Sequence, residues 1–137
     1  MIVLALLLQA APVLPGPIGR QALPARGCAA YLWTLGPDPA MVAMASADPA
    51  GIRLSFGGKP VDFQRTAATG GDAGYGFARR TDYRLADGTA SLDLTLAARP
   101  DLVQGAAVTG AVLTITRDGA DAVLIPLGGM VGCAAGS

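Results

Sequence analysis

Apolar and polar residues alternate with a period of two along much of this chain, a pattern that predicts β-strands. The clearest case is Ser91–Leu96, whose three leucines are expected to face a core while the polar residues between them face water. In Val112–Thr116 the same argument assigns Leu113 and Ile115 to the core. Ala122–Ile125 is apolar throughout and predicts a strand buried on both faces.

Short polar turns separate these apolar runs. Gly57-Gly58, Asp87-Gly88 and Asp118-Gly119 each lie between two predicted strands and indicate β-hairpins, because glycine adopts positive φ at little cost. Across the Asp87-Gly88 turn, Asp93 is expected to lie opposite Arg84 as a surface ion pair.

The whole pattern predicts an all-β protein, since no segment shows a long helical period. We expect an antiparallel β-sandwich of seven to eight short strands, with a small β-barrel as the alternative. The predicted strands are Ala29–Leu35, Met41–Ala45, Gly51–Phe56, Pro60–Arg65, Thr81–Leu85, Thr89–Ala97, Ala111–Arg117 and Ala122–Leu127.

The chain opens with a charge-free apolar stretch, Met1–Ala11, followed by several prolines. The stretch is about half as long as the roughly 20 residues that a membrane-spanning helix needs, so it predicts a secretory leader and not a transmembrane segment. Ala10 and Ala25 each end a possible cleavage site. We therefore divide the chain into a leader, residues 1–25, and one domain, residues 26–137, although a buried N-terminal element is the alternative.

Two cysteines, Cys28 and Cys133, lie near the two ends of that domain. Such a distant lone pair, after an apolar leader, predicts one disulfide that joins the first strand to the last and forms outside the cytoplasm. A lipid anchor at Cys28 is not favoured, because Arg26 occupies a position that is normally small in the acylation motif.

The composition limits the chemistry that is available. There is no histidine, no glutamate and no asparagine, and Lys59 is the sole lysine. The missing histidine removes Ser-His-Asp and Cys-His catalysis and most zinc sites, so we expect no enzyme and no cofactor. Ten basic residues balance ten acidic ones, which gives no basic stripe for nucleic acid. Abundant alanine, glycine and arginine resemble a high-GC bacterial coding sequence.

One glycine-rich stretch, Thr69–Gly76, is followed by aromatic residues and arginines. It lacks the Gly-Lys-Ser/Thr of phosphate-binding loops and indicates a flexible connection. The mixed segment beside it is the predicted binding region, because aromatic rings supply contact area and guanidinium groups bind carboxylates or phosphates. If its Phe and second Tyr turn inward, the same residues are core and rim. The predicted binding residues are Tyr75, Phe77, Arg79, Arg80 and Tyr83.

A methionine pair, Met41 and Met44, together with Met130 and Cys133, raises the possibility of Cu(I) binding. Positions three apart on a regular strand face opposite sides, so Met41 and Met44 are not expected to converge.

These observations predict a small exported, non-catalytic binding protein of a Gram-negative cell envelope, periplasmic or secreted. Its expected partner is an envelope protein or a polysaccharide, and inhibition of an envelope hydrolase is one concrete form. The alternative is a periplasmic enzyme that works without histidine, or a soft-metal carrier for copper.

Overall fold

A computed structural model of the protein describes residues 14–102 and 105–135, so the predicted leader stretch Met1–Ala11 lies outside the described residues. Within the described ranges, no helix has the length and apolarity that crossing a membrane requires. Each of the eight predicted segments overlaps one observed strand. The strands are β1 (Cys28–Thr34), β2 (Met41–Ala47), β3 (Ala50–Phe56), β4 (Lys59–Gly74), β5 (Phe77–Leu85), β6 (Gly88–Ala98), β7 (Gly105–Arg117) and β8 (Val123–Cys133).

These strands form a closed antiparallel barrel in which every strand pairs with the next and β8 pairs with β1. The prediction of a sandwich is therefore wrong, and the alternative, a small barrel, is correct. An alternating pattern specifies which residues face inward, and a sandwich and a barrel both need that alternation. The pairing of the first strand with the last closes the sheet, and the alternation of apolar and polar residues does not indicate whether that pairing forms.

The predicted disulfide is confirmed between Cys28 and Cys133, which are directly paired residues on β1 and β8. It therefore crosses the seam where the two ends of the sheet meet. The Cys28 sulfur, which a lipid anchor would require, is bonded to Cys133.

Side chains from all around the sheet fill the barrel. The expected inward positions of β6 and β7 are confirmed for Leu92, Leu94, Leu113 and Ile115, which are buried. Leu96 is half-buried against the core, and Ser91, which was expected to face water, is buried. The prediction that the apolar run of β8 is buried on both faces is wrong, because the side chain of Leu124 is 65% exposed on the outside. A small barrel has one interior, so alternate residues of every strand must face outward.

Glycines make the hairpins for two different reasons. Gly57 and Gly58 adopt positive φ (62° and 81°) in the β3–β4 turn, as predicted. Gly88 instead pairs with Leu85, so Ala86 and Asp87 form the turn, and a Cβ at Gly88 would overlap the carbonyl oxygen of Thr116.

This shorter turn changes the register of the β5–β6 hairpin. Asp93 lies opposite Arg80, and Arg84 lies opposite Thr89. The predicted pair of Asp93 with Arg84 is wrong, because a two-residue turn at Asp87-Gly88 would place Arg84 opposite Ser91, and the observed turn, centred one residue earlier, places it opposite Thr89.

Residues 14–25, here called the N-terminal strap, lie along the outside of β1–β3. Backbone hydrogen bonds join the amide of Gly16 to the carbonyl of Ser55 (2.8 Å) and the amide of Ile18 to the carbonyl of Met41 (2.9 Å). The Tyr31 hydroxyl donates to the carbonyl of Ala22 at 2.8 Å. The Ile18 side chain is buried in an outer apolar cluster of Ala29, Tyr31 and Met44, with Trp33 and Met41 beside it. The strap thus packs on the barrel as part of the same folded unit.

Candidate functional site

The most exposed strand of the barrel is β4. It has 16 residues, and all of them are exposed except Phe63, Ala73 and Gly74, which are half-buried. Its pairing with β3 ends at Gly51–Gln64, whereas its pairing with β5 continues to Gly74–Phe77. The second half of β4 therefore projects past the end of β3 with β5 as its partner.

Beside this projection lies a groove of ≈ 530 Å³ between the β2–β3 hairpin and β4. Its walls combine apolar side chains with hydrogen-bonding groups. The residues that line it are Met44, Ser46, Pro49, Ala50, Gly51, Ile52, Arg53, Asp62, Phe63, Gln64 and Arg65. Concave surfaces with a few convergent polar groups are where small binding proteins usually hold ligands. We call this surface the β3–β4 groove.

A two-pronged ion pair lies in the β3–β4 groove. The Arg53 guanidinium donates from Nε to Oδ1 of Asp62 at 2.7 Å and from Nη2 to Oδ2 at 3.1 Å, while its Nη1 donates to Gln21 of the strap at 2.5 Å. The hydrogen bonds from Arg53 hold the pKa of Asp62 below its usual range, and the same bonds raise the pKa of Arg53. Both groups therefore stay charged, and each neutralises the other.

Arg65 forms no such ion pair with any residue that the structure describes. It lines the β3–β4 groove and also two neighbouring depressions of ≈ 340 and ≈ 420 Å³. Arg84 lines the second of these with it. Among residues 14–102 and 105–135, no ion pair within 4.0 Å includes Arg65, Arg79 or Arg84. We call these three arginines of β4 and β5 the cationic surface.

The structure divides the predicted binding residues into two groups. Phe77 and Tyr83 are 5% and 1% exposed and belong to the core, as the alternative interpretation of the segment states. Tyr75 is half-buried at the tip of the β4–β5 hairpin, where its φ is 59°. The two arginines, Arg79 and Arg80, are exposed on β5.

Those two arginines have different surroundings. Arg80 approaches Asp82 at 3.4 Å and Asp93 at 3.7 Å, and its Nη2 donates to the Ser91 hydroxyl at 3.2 Å. Arg79 lines a small depression of ≈ 110 Å³ with Asp72 and Ala73 of β4 and with residues of β6, and it forms no ion pair within 4.0 Å among the described residues. The charge of Arg80 is therefore more fully balanced by ion pairs than the charge of Arg79.

The glycine-rich stretch Thr69–Gly76 shapes the end of the β4–β5 hairpin. Gly70 and Gly71 have positive φ (82° and 87°) and interrupt the regular pairing of β4 with β5. At the tip, a Cβ on Gly76 would lie 3.1 Å from the Cβ of Ala47 at the end of β2. The glycines therefore bend the hairpin over one end of the barrel, and strand β5 follows them directly.

Four residues of the β3–β4 groove were not among the predicted binding residues: Arg53, Asp62, Gln64 and Arg65. The signal for the ion pair was present, because Arg53 and Asp62 stand four positions before Gly57 and four positions after Gly58. A two-residue hairpin turn places such positions opposite each other, as the register confirms. Nothing comparable marked Arg65, whose exposure results from the early end of β3.

The expectation that Met41 and Met44 cannot converge is wrong. A register shift between Leu32 and Trp33 of β1 leaves Val42 as an extra residue on β2. This bulge changes which face the next residue takes, and both methionines contact the same outer cluster.

Comparisons of the chain with protein-family models, with curated protein sequences and with solved structures find no match.

Proposed function

We propose that the protein is a non-catalytic binding protein of the bacterial cell envelope that holds an acidic partner against the cationic surface and the β3–β4 groove. The observation that carries this proposal is the set of three exposed arginines on β4 and β5, Arg65, Arg79 and Arg84, which form no ion pair within 4.0 Å among the described residues. Guanidinium groups bind carboxylates through two parallel hydrogen bonds, which suits them to acidic side chains and uronic acids.

The proposed chemistry fits the groove. It contains one carboxylate, Asp62, which Arg53 already neutralises. A general acid–base reaction on a sugar or an ester uses two carboxylates with different roles, or an acid beside a histidine. The groove thus offers recognition groups: a guanidinium at Arg65, the amide of Gln64 and the hydroxyl of Ser46.

Export of the protein is part of the proposal. The Cys28–Cys133 disulfide is compatible with an oxidising compartment, and the apolar stretch Met1–Ala11 precedes it. We place the protein in the periplasm or outside the cell of a Gram-negative bacterium, where its partner is an acidic envelope protein or polysaccharide.

Calorimetric titration with poly-L-glutamate and with polygalacturonate tests the proposed binding. We expect at least one polymer to bind at low ionic strength and to dissociate as salt is added, because exposed charges are screened. Replacing Arg65, Arg79 and Arg84 together by Gln should abolish binding. Arg99→Gln is the matched control, since Arg99 is exposed on another hairpin and is bridged to Asp101.

Two results would contradict the proposed function. One is the absence of binding by both polymers at low ionic strength. The other is an equal loss of binding in Arg99→Gln and in each of the single variants Arg65→Gln, Arg79→Gln and Arg84→Gln, because all four remove one positive charge and an equal effect would indicate a non-specific response to net charge.

The bulge on β2 supports a second candidate, a soft-metal carrier. It puts Met41 and Met44 on one outer surface, and Met130 lies on the same side opposite Tyr31. Thioethers are ligands for Cu(I), while Cys133 is held in the disulfide. Titration with Cu(I) should raise the melting temperature if this candidate is correct, and the combination Met41→Leu with Met44→Leu should remove that rise. An unchanged melting temperature would eliminate it.

A further inference from the structure

We infer that the segment Arg65–Thr69 is a free strand edge that binds an extended, acidic peptide segment of a partner protein as an added β-strand. The inference rests on the proposed function and deepens it, because it selects a polypeptide and states how its backbone is held. Addition of a strand to an open sheet edge is a general mode of peptide recognition, in which main-chain hydrogen bonds supply affinity.

The edge exists because β3 is shorter than β4. The last residue of β4 that pairs with β3 is Gln64, and from Arg65 onward the described strands provide β4 with one neighbour, β5. Along a strand, alternate residues direct their amide and carbonyl groups to opposite sides. Beyond Gln64, half of these groups on β4 therefore point away from β5 and towards solvent.

The local sequence does not protect this edge. Natural proteins protect open edges with lysine, proline, inward-pointing charges or β-bulges. Thr66-Ala67-Ala68-Thr69 has one bulge, at Thr66, but contains no lysine, proline or charged residue, and each of its residues is exposed. The extra residue Thr66 is tied to β5 by a hydrogen bond from its hydroxyl to the carbonyl of Asp82 at 3.3 Å. Ala67, Ala68 and Thr69 then pair regularly with β5.

There is room beside the edge for another strand. The β3–β4 groove approaches Arg65 from the side of Pro49 and Gly51, and the depression of ≈ 340 Å³ continues from Arg65 past Ala68 and Thr69. A strand added to a sheet lies about 4.8 Å from its neighbour. The two depressions share Arg65, and the second is lined by Ala68 and Thr69 of the edge together with Phe77 and Ala78 of β5.

Charge identifies the occupant. Arg65 stands at the start of the edge without an acidic partner among the described residues, and Arg84 shares its depression. An incoming strand with a glutamate or aspartate beside Arg65 would form a charge-assisted hydrogen bond there. The other positions of the incoming strand can be apolar or small, because Thr66–Thr69 of the edge carries no charge.

A second copy of this chain fits the edge less well. If two copies pair their Arg65–Thr69 segments antiparallel and centred on Ala67, Arg65 of each copy lies opposite Thr69 of the other. This pairing places no carboxylate beside either arginine. Asp72 lies beyond Gly70 and Gly71, whose positive φ ends the straight part of the edge. Self-pairing therefore leaves both arginines without a counter-charge.

The test uses the full chain and a synthetic peptide in which glutamate alternates with valine and threonine. Binding is followed by NMR chemical shifts and amide hydrogen exchange. We expect the largest shifts and the slowest exchange at Arg65–Thr69. Arg65→Gln should weaken binding about tenfold, the equivalent of one charge-assisted hydrogen bond, while Arg99→Gln should leave it unchanged.

Two N-methylated forms of the peptide separate strand addition from simple charge attraction. Methyl groups on the amides of one alternate set should abolish binding, because that set pairs with β4, whereas methyl groups on the other set should be tolerated. Equal binding by both forms would overturn strand addition and leave the proposed function standing. Loss of the arginine dependence in poly-L-glutamate binding would instead overturn the proposed function.

Two further outcomes would overturn the choice of occupant. Amide protection at Arg65–Thr69 that grows with protein concentration, without peptide, would show that a second copy takes the edge. Protection that is present at every concentration and excludes the peptide would show that another part of this chain takes it.

Discussion

Tyr83 has its phenol in the barrel interior, where the side chain is 1% exposed. Burial disfavours the charged phenolate and raises the pKa of Tyr83 to about 12, whereas the unfolded chain has an ordinary value of 10.0. Stability from this group is complete below the unfolded pKa and is lost as the pH rises through the folded one. The free energy of unfolding should therefore fall by roughly 2–3 kcal/mol between these two pKa values.

Urea unfolding at a series of alkaline pH values measures this loss. Tyr83→Phe is the matched variant, because it keeps the ring in the core and has no proton to lose. Its stability should decline less steeply over the same pH range than that of the unmodified chain. Parallel curves for the two proteins would refute the assignment.

Arg117 closes the opposite end of the barrel from the β4–β5 hairpin tip. Its guanidinium carbon lies 4.4 Å from the centre of the Phe56 ring, and its Nη1 donates to both carboxylate oxygens of Asp87 in the β5–β6 turn. Its Nε is buried without a hydrogen-bond partner in the described part of the chain. The contacts with the ring and the carboxylate must therefore offset the burial of that nitrogen.

Arg117→Ala should lower the free energy of unfolding by about 1–3 kcal/mol, because it removes the cation–π contact, the ion pair and the packing of the arginine stem. Thermal unfolding of Arg117→Ala and of Asp87→Asn measures the two contributions. Asp87→Asn should cost less, since the carboxylate of Asp87 is exposed. A larger loss in Asp87→Asn than in Arg117→Ala would contradict this account.

At the scale of elements, the N-terminal strap behaves as a ninth segment of the fold. It covers Tyr31 and Met44, which would otherwise be apolar residues on an outer face. A chain that begins at Arg26 should be about 2 kcal/mol less stable than one that begins at Leu14, which is the contribution of one buried isoleucine. Denaturant unfolding of both chains measures the difference.

The same packing bears on the two predicted cleavage positions. Cleavage after Ala10 keeps the strap, and cleavage after Ala25 removes it. If the proposed export takes place, we expect the processed chain to retain the strap, because its loss exposes the outer cluster. Mass spectrometry of the processed chain determines its first residue, and a chain that begins at Arg26 with undiminished stability would contradict the role given to Ile18.

The positions of the β-strands were predicted well from the alternation of apolar and polar residues and from the turn sequences. The register in which the strands pair was predicted less well. The alternation in Ser91–Leu96 depends on adjacent residues, so it is visible in the sequence. The register of the β5–β6 hairpin depends on whether the turn is centred on Ala86-Asp87 or one residue later, and the contact of Gly88 with the backbone of β7 decides this. A contact with a distant strand has no local signature.

For the whole molecule, the sheet is closed by the pairing of β1 with β8, and one disulfide crosses that seam. Cys28 and Cys133 are 105 residues apart in sequence. Reduction should destabilise the barrel by about 4 to 5 kcal/mol on the chain-entropy estimate, because the unfolded chain regains the freedom that a loop of this length removes. Denaturant unfolding with and without reductant measures the loss, and Cys28→Ser with Cys133→Ser is the matched variant.

Charge divides the outside of the barrel into two halves. Strands β1, β2 and β8 contain no charged residue, whereas the strands from β3 to β6 carry ten of the twenty charged residues of the chain. The net charge of zero conceals this division. It explains why an absent basic stripe in the sequence coexists with a cationic surface in the structure.

The amino-acid sequence by itself determined the strands, their inward faces, most turns and the disulfide, because each follows from neighbouring residues or from residue type. It also predicted a binding role for Arg79, which is exposed on β5. Tertiary structure decided that the sheet closes into a barrel, that Phe77 and Tyr83 are core, and that Arg65 lies on an open edge. These properties depend on where strands distant in sequence begin and end against one another, and local pattern does not encode that.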